Sequence, residues 1–311
     1  MKILVTGAQG FVGRYLTAEL LRAGHEVVLT GVTKETVDIY GYGSQPVLKM
    51  DITDPQECGR ILENHVPDAV IHLAGIAKTT GQKTALLDAV NIRGPENVVR
   101  ALSKLPPSTK DLPRIFLFIS SAFVYGDGVH HGTLACTPTT PAQPRGEYGK
   151  GKLAAESIIR KFDASNLLVY VARPFNHIGT GQEATFVVPA LVSRIRTAAP
   201  NSAIETGNLN VLRDFTDVRD VVRAYRLIVE RRPSERVFVI GSGKAVTIQS
   251  VFDHLNSLSR KGLSQSLAPH LQRDESTAAI ISDSAAAQST LGWKAEISLA
   301  QSLEDIWNGS S

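Results

Sequence analysis

Tyr148 and Lys152 stand four residues apart in EYGKGKLAAE, at the start of a segment with helical character. Residues four apart on a helix share one face, so the phenol and the ammonium would be neighbours. A free phenol, with a pKa of about 10, exchanges protons poorly at neutral pH. A nearby ammonium favours the phenolate and lowers that value. The pair could then act as general acid or base near pH 7. Taken alone, the stretch is equally compatible with two surface residues decorating a helix.

A second chemical feature is TGAQGFVG, which places Gly7, Gly10 and Gly13 at G-x-x-G-x-x-G spacing. Glycine permits a tight turn, backbone approach to a pyrophosphate, and close packing of helix on sheet. The following helix N-terminus offers free N–H groups and partial positive charge to phosphates. The loop sits between the strand-like KILVT and the helix-like FVGRYLTAELLRAG, the context a dinucleotide site requires. NAD sites usually place an acid at the end of the second strand to accept the ribose 2′-hydroxyl. Thr30-Gly31-Val32-Thr33-Lys34 has none. Arg14, directly after Gly13, and Lys34 could instead pair with a 2′-phosphate. This predicts NADP(H) in preference to NAD(H), without excluding NAD(H). Asp51 and Ile52, ending the third strand, lie where an adenine edge is often held. Asp51 could equally be a helix-entry acid.

These residues need a scaffold, and the pattern supplies one. Short apolar runs predict strands over 2–6, 25–30, 46–52, 68–75, 114–121, 166–174 and 236–241. Helical periods fall between them, over 11–24, after Thr53-Asp54-Pro55, over 84–103 with an interruption at Gly94-Pro95, and over 147–163. Continuously apolar strands alternating with helices imply an α/β fold, a doubly wound parallel sheet of the Rossmann type covered on both faces. After about residue 174 the alternation breaks. Residues 1–174 plus about 236–241 would form the dinucleotide-binding domain. Residues 175–235 and 242–311 would form a smaller α/β substrate-binding lobe at the carboxyl ends of the strands. Within it, STAAIISDSAAAQSTLGW holds a strand and a helix, and Trp293 and Trp307 are expected in the small lobe's core.

Composition narrows the function classes. The 311 residues are 43% hydrophobic and 20% charged, with a formal charge of +3. That charge, with no basic run interleaved with aromatics, argues against nucleic acid. Cys58 and Cys136 are far apart, which gives no disulfide framework and no metal-ligand cluster. His130 and His131 are adjacent but lack partners at metal spacing, so no metal is expected. No apolar stretch reaches membrane length, and neither an anchor nor a signal peptide is expected at the N-terminus. The default location is the cytoplasm, a reducing compartment.

In order and spacing, TGAQGFVG, DIT, HLAG, VNIRGPENVV, ISSAFVYG, Tyr148-x-x-x-Lys152 and RPFNHIGTGQ resemble the extended short-chain dehydrogenase/reductases that act on nucleotide sugars. The match spans nearly the whole chain. RPFNHIGTGQ and GNLNVLRDFTDVRDVVRAY are most similar to the GDP-sugar branch, especially the GDP-4-keto-6-deoxy-mannose reductases. The resemblance implies a catalytic set of Ser121, Tyr148 and Lys152, with Ser121 hydrogen-bonding the sugar oxygen that changes and Lys152 holding the nicotinamide ribose. It implies cofactor contacts at Gly7, Gly10, Phe11, Val12, Gly13, Arg14, Asp51, Ile52, Leu73, Ala74, Gly75, Asn91 and Ser120. It implies substrate contacts at Asn176 and Arg213, near the diphosphate, and at Arg273, although LQRDEST departs from the usual Arg-Pro form. His177 reads as structural. A dehydratase needs an acid and a base beside the hydroxyl residue, where Ala122 and Phe123 stand. The expected activity is NAD(P)H-dependent reduction of a nucleotide-linked 4-keto-6-deoxyhexose, GDP-4-keto-6-deoxy-mannose first, to a GDP-6-deoxyhexose. A nucleotide-sugar 4-epimerase is the alternative. A homodimer pairing the helices near 84–103 and 147–163 is expected by resemblance.

Overall fold

The computed structural model describes residues 1–33, 35–77, 81–109, 112–126, 134–271 and 280–309. Strand β1 (Lys2–Thr6) runs through the glycine loop into α1 (Phe11–Arg22). β2 (Glu26–Gly31) follows, then a hairpin of β3 (Thr36–Ile39) and β4 (Gly43–Pro46), and the two-residue β5 (Leu48–Lys49). α2 (Pro55–His65) starts as its sequence dictates: the Asp54 carboxylate accepts from the N–H groups of Gln56 and Glu57, and Pro55 opens the first turn. β6 (Ala69–His72) leads to α3 (Thr84–Asp88), a π-helical turn at Ala89–Arg93, and α4 (Gly94–Ser103). The interruption expected at Gly94-Pro95 takes this form because Pro95 has no N–H to continue the ladder. Next come β7 (Arg114–Ile119), β8 (Leu134–Cys136), α5 (Glu147–Ile159) and β9 (Leu167–Pro174).

The remainder comprises β10 (Asn176–Ile178), α6 (Val187–Thr197), β11 (Ala203–Thr206), β12 (Leu212–Asp217), α7 (Val218–Arg231) and β13 (Val237–Ile240). It closes with β14 (Ala245–Thr247), α8 (Ile248–Ser259), β15 (Ser264–Leu267), β16 (Ile280–Ser282), α9 (Ala285–Leu291) and α10 (Leu299–Asn308).

Seven strands form one parallel sheet in the order β13-β9-β7-β6-β1-β2-β5. β1 lies between β2 and β6, with Thr6 opposite Thr30 on one side and His72 on the other. The chain winds outward in both directions from there, so a crevice opens at the carboxyl ends of β1 and β6. Hydrophobic side chains of α1 and α7 cover one face of the sheet, and those of α2, α4 and α5 cover the other. α7 thus packs on the sheet, as does Trp293, whose indole N–H donates to the Asp220 carbonyl at 2.8 Å. That corrects the expectation for Trp293, since α9 returns to the sheet face. Trp307, on α10, packs against side chains of α6 and α8 in a separate core. There β10, β12 and β14 form a three-stranded sheet, while β16 pairs with β8. Among the described residues no helix is long and apolar enough to cross a membrane.

Candidate functional site

Ser121 follows β7 and caps the short 3₁₀ turn Ala122–Tyr125, its Oγ accepting from the Phe123 N–H at 3.2 Å. Tyr148 and Lys152 occupy the first two turns of α5. α5 can approach the 122–125 turn because position 149 is glycine. A Cβ there would lie 2.4 Å from the Phe123 carbonyl oxygen. The Phe123 ring meets Tyr148 edge-on, centroids 6.1 Å apart. Gly149→Ala is accordingly expected to push α5 off the turn and lower turnover roughly tenfold through misplacement of Tyr148. NADPH titration should show near-wild-type cofactor affinity. Unchanged turnover would show that the close approach is not needed.

Lys152 is buried. Its Nζ donates to the Ile119 carbonyl at 2.8 Å and lies 4.8 Å from the Phe118 ring centroid and 5.7 Å from that of Tyr148. The sequence suggests that this ammonium lowers the Tyr148 pKa, and here the structure differs. Tyr148 keeps some solvent access but is densely surrounded, and desolvation pushes its hydroxyl up to about 12. Lys152 is pushed down to about 8, also by burial, with Glu156 opposing. Adjacency on a helix face does not set the sign when both groups leave water together.

The trough expected to take the cofactor is built by close approaches. Gly7 has φ +68°, and a Cβ on it would come 2.9 Å from the backbone N and Cα of Ala74. The glycine loop therefore lies directly against Leu73-Ala74-Gly75. The Thr6 hydroxyl reinforces this, accepting from the Ala74 N–H at 3.1 Å and pairing with His72 Nδ1 at 3.0 Å. A Cβ on Gly75 would sit 3.1 Å from Asn91 Oδ1 and 3.5 Å from Lys152 Nζ, so the trough runs to Lys152. Asn91, in the π-helical turn, clamps Ile76 by both backbone groups at 2.8 and 3.0 Å. α1 has no side-chain cap at Gly10 and no acid in its first turn. The backbone of Gly10, Phe11, Val12 and Gly13 thus presents a cradle suited to a diphosphate.

Other cofactor candidates have varied placements. Asp51 serves helix entry, its Oδ1 accepting from the N–H and hydroxyl of Thr53 at 2.9 and 2.7 Å. Ile52 is buried against Gly94. Ser120 donates to Glu156 Oε1 at 2.5 Å. Arg14 donates from Nη2 to the Gly181 carbonyl at 3.4 Å and lies over the Tyr40 ring. Lys34 lies outside the described residues, as do His130 and His131. The end of β2 is covered by Gln9, whose Oε1 would be 2.2 Å from a Cβ at Gly31, and whose Nε2 donates to Thr33 Oγ1 at 3.1 Å.

On the substrate side, β10 and β12 pair with Asn176 opposite Phe215. Asn176 Nδ2 reaches the Asp214 carbonyl at 3.5 Å, and Arg213 Nη1 donates to the Leu212 carbonyl at 2.8 Å. Both side chains are partly exposed. His177 stacks on Phe11, rings 4° from parallel, and so joins β10 to the glycine loop. Arg273 lies outside the described residues. Sequence reasoning missed Gln9, Glu156, Arg173 and Asp214. A charge inside the apolar LLVYVARP strand, and an acid one turn beyond Lys152, were the available signals.

Comparison with known proteins agrees with this geometry. The NAD dependent epimerase/dehydratase family model matches residues 3–241. A GDP-6-deoxy-D-mannose reductase from Pseudomonas aeruginosa is 31% identical, covering 98% of this chain and 95% of that protein. The structure of RMD from Pseudomonas aeruginosa complexed with NADPH superposes with a TM-score of 0.83 at 30% identity, covering 99% of this chain and 98% of that one. A UDP-glucose 4-epimerase from Thermotoga maritima with UDP-glucose gives 0.84 at 26% identity, over 99% and 98%. With its glycine cradle, its Tyr148–Lys152 helix and this likeness along the whole chain, the protein belongs to the NAD dependent epimerase/dehydratase family, the extended short-chain dehydrogenase/reductases that act on nucleotide sugars.

Proposed function

We propose that the protein reduces a nucleotide-linked 4-keto-6-deoxyhexose, GDP-4-keto-6-deoxy-mannose in the first instance, to a GDP-6-deoxyhexose of the GDP-rhamnose type. NADP(H) is the preferred carrier and NAD(H) the second. The observation that carries reduction over epimerisation is the end of β2. Gly31 has no side chain and neutral Gln9 lies over it, so no acid at that strand end grips a ribose 2′-hydroxyl. That suits a carrier that leaves after each turnover. The relative named GDP-6-deoxy-D-mannose reductase supports the choice of sugar.

The residues divide the work. The backbone of Gly7, Gly10, Phe11, Val12 and Gly13 would hold the dinucleotide's diphosphate, and Leu73-Ala74-Gly75 with Lys152 would hold its nicotinamide half. When bound, the dinucleotide supplies the hydride. Tyr148, protonated at neutral pH as any phenol is and held so by burial, gives its hydroxyl proton to the sugar oxygen. A sugar alkoxide is a stronger base than a phenolate, so that transfer runs downhill. Ser121 orients the same oxygen. Arg213 and Asn176 would anchor the distant diphosphate. Ala122 and Phe123 beside Ser121 carry no proton-transfer group, which disfavours dehydration. The groove between the π-helical turn and α5, lined by Leu87, Ile92, Lys150 and Ala154, is where a second copy would pair in a homodimer.

The test is stoichiometric. One NADPH should be consumed per 4-keto sugar converted. The alternative reading, a 4-epimerase, shares the Ser121–Tyr148–Lys152 set. Interconversion of an intact nucleotide hexose with bound NAD and no net NADPH oxidation would establish it instead.

A further inference from the structure

Glu156, a buried carboxylate that the chemistry above does not use, joins the elements carrying the catalytic set. It lies one turn beyond Lys152 on α5 and is 2% exposed. Its Oε1 accepts from Ser120 Oγ at 2.5 Å and Arg173 Nε at 3.0 Å, and its Oε2 from Arg173 Nη2 at 2.6 Å. Arg173, on β9 and 5% exposed, also donates from Nη1 to the Tyr125 hydroxyl at 2.9 Å and the Pro138 carbonyl at 3.3 Å. The Tyr125 hydroxyl in turn donates to the Thr137 carbonyl at 2.8 Å. One ion pair thus ties the end of β7, the 3₁₀ turn, the 137–138 segment and β9 to the catalytic helix. A buried pair of this kind adds little net stability, because desolvation offsets its attraction. Placement and charge are what it can contribute.

We infer that Glu156, braced by Arg173, is a positioning residue for the reaction: it fixes the Ser120–Ser121 strand end against α5 and sustains the ammonium of Lys152. The inference rests on the reading of Lys152 and Ser121 given above. Burial disfavours the Lys152 ammonium, and Glu156 is the charge that opposes it. The other described groups around Lys152 do not share that role. His72, from β6, is held neutral, its pKa pushed down to about 3 by burial. Phe118 and the Ile119 carbonyl, from β7, carry no net charge, nor does Asn91 from the π-helical turn. Tyr148 on α5, and Tyr225 on α7 behind it, are both raised by burial and stay neutral. Arg173, on β9 beyond Glu156, is the cation of the pair.

The sign follows. A lysine's charged form is present below its pKa and lost as pH rises through it. If Lys152 helps hold cofactor, affinity should fall above about pH 8. Removing the carboxylate should move that fall to lower pH by about one unit. The probe is NADPH binding, read by fluorescence from about pH 6 to about pH 10, beside kcat and KM for the 4-keto sugar. Glu156→Gln leaves Arg173 uncompensated and endangers folding. The paired variant Glu156→Gln/Arg173→Met, which removes both charges at similar volume, is therefore measured with it. The paired variant is expected to fold by circular dichroism, to show the shifted limb, and to lose about tenfold in kcat with KM little changed. Ser120→Ala should lower kcat severalfold and leave the limb in place. A folded paired variant with the wild-type limb and kcat overturns the inference. Lys152→Met separates the two readings. Loss of the limb there, with no movement in the paired variant, overturns the role of Glu156 alone. A limb that persists in Lys152→Met overturns the assignment of Lys152 and this inference together.

Discussion

Tyr148→Phe is expected to lower turnover by at least ~10²-fold while NADPH still binds, the scale of general acid–base assistance. The change removes one oxygen and keeps the ring that packs edge-on against Phe123. Among the described residues no hydrogen bond from the Tyr148 hydroxyl holds the fold: α5 is anchored by Lys152 on Ile119 and by Glu156 on Ser120 and Arg173. Loss of activity would therefore report proton delivery and not collapse of the helix. The pH profile sharpens the test. Tyr148 is pushed up to about 12 and Lys152 down to about 8, so the alkaline limb proposed for cofactor binding is expected to follow Lys152. Tyr148→Phe should leave that limb where it is, whereas Lys152→Ala should weaken NADPH binding and turnover together. A Tyr148→Phe enzyme retaining most of its turnover would remove Tyr148 from the mechanism.

What the sequence could show of this site depended on distance along the chain. The strand–glycine–helix unit is local: apolar run, turn glycines and helical period are contiguous, and the structure places β1, Gly7 and α1 as read. The Tyr148–Lys152 pair is also local, since one helix fixes both. The direction of their pKa shifts was not legible, because burial depends on Phe118, Phe123 and other neighbours brought in by the fold. Arg14 illustrates the same limit. Its sequence position suggested a phosphate, but Gly181, 167 residues away, accepts from it. Gln9 over Gly31 is likewise a contact between two turns. The β3–β4 hairpin leaves little signal in the sequence, because its strands are four residues each and only Val37 and Ile39 of β3 are buried. Asp214 is not legible from its own stretch, since nothing local announces that it is fully buried.

That burial gives Asp214→Ala the larger structural consequence, an expected loss of about 3 kcal/mol. The carboxylate is 0% exposed and gathers five hydrogen bonds. Oδ1 accepts from the Ser242 N–H at 3.0 Å and hydroxyl at 2.6 Å. Oδ2 accepts from the Gly243 N–H at 3.1 Å and from the Ser282 N–H and hydroxyl, both at 2.8 Å. Alanine would strip the acceptor from backbone donors on two segments, the β13–β14 turn and β16. Unmet buried donors cost more than the bonds contributed. For a chain of this size the melting temperature should drop by roughly 5 °C. The effect should also reach the substrate. Asp214 fixes β12, and β12 carries Arg213 one residue away, so KM for the nucleotide sugar should rise on the order of tenfold, equivalent to about 1.4 kcal/mol. NADPH affinity should hold, because the glycine loop and Leu73-Ala74-Gly75 trough belong to β1 and β6 and share no hydrogen bond with Asp214. Calorimetric melting with paired NADPH and sugar titrations checks both halves. A stable Asp214→Ala protein with unchanged KM would mean that the cluster neither braces β12 nor places Arg213.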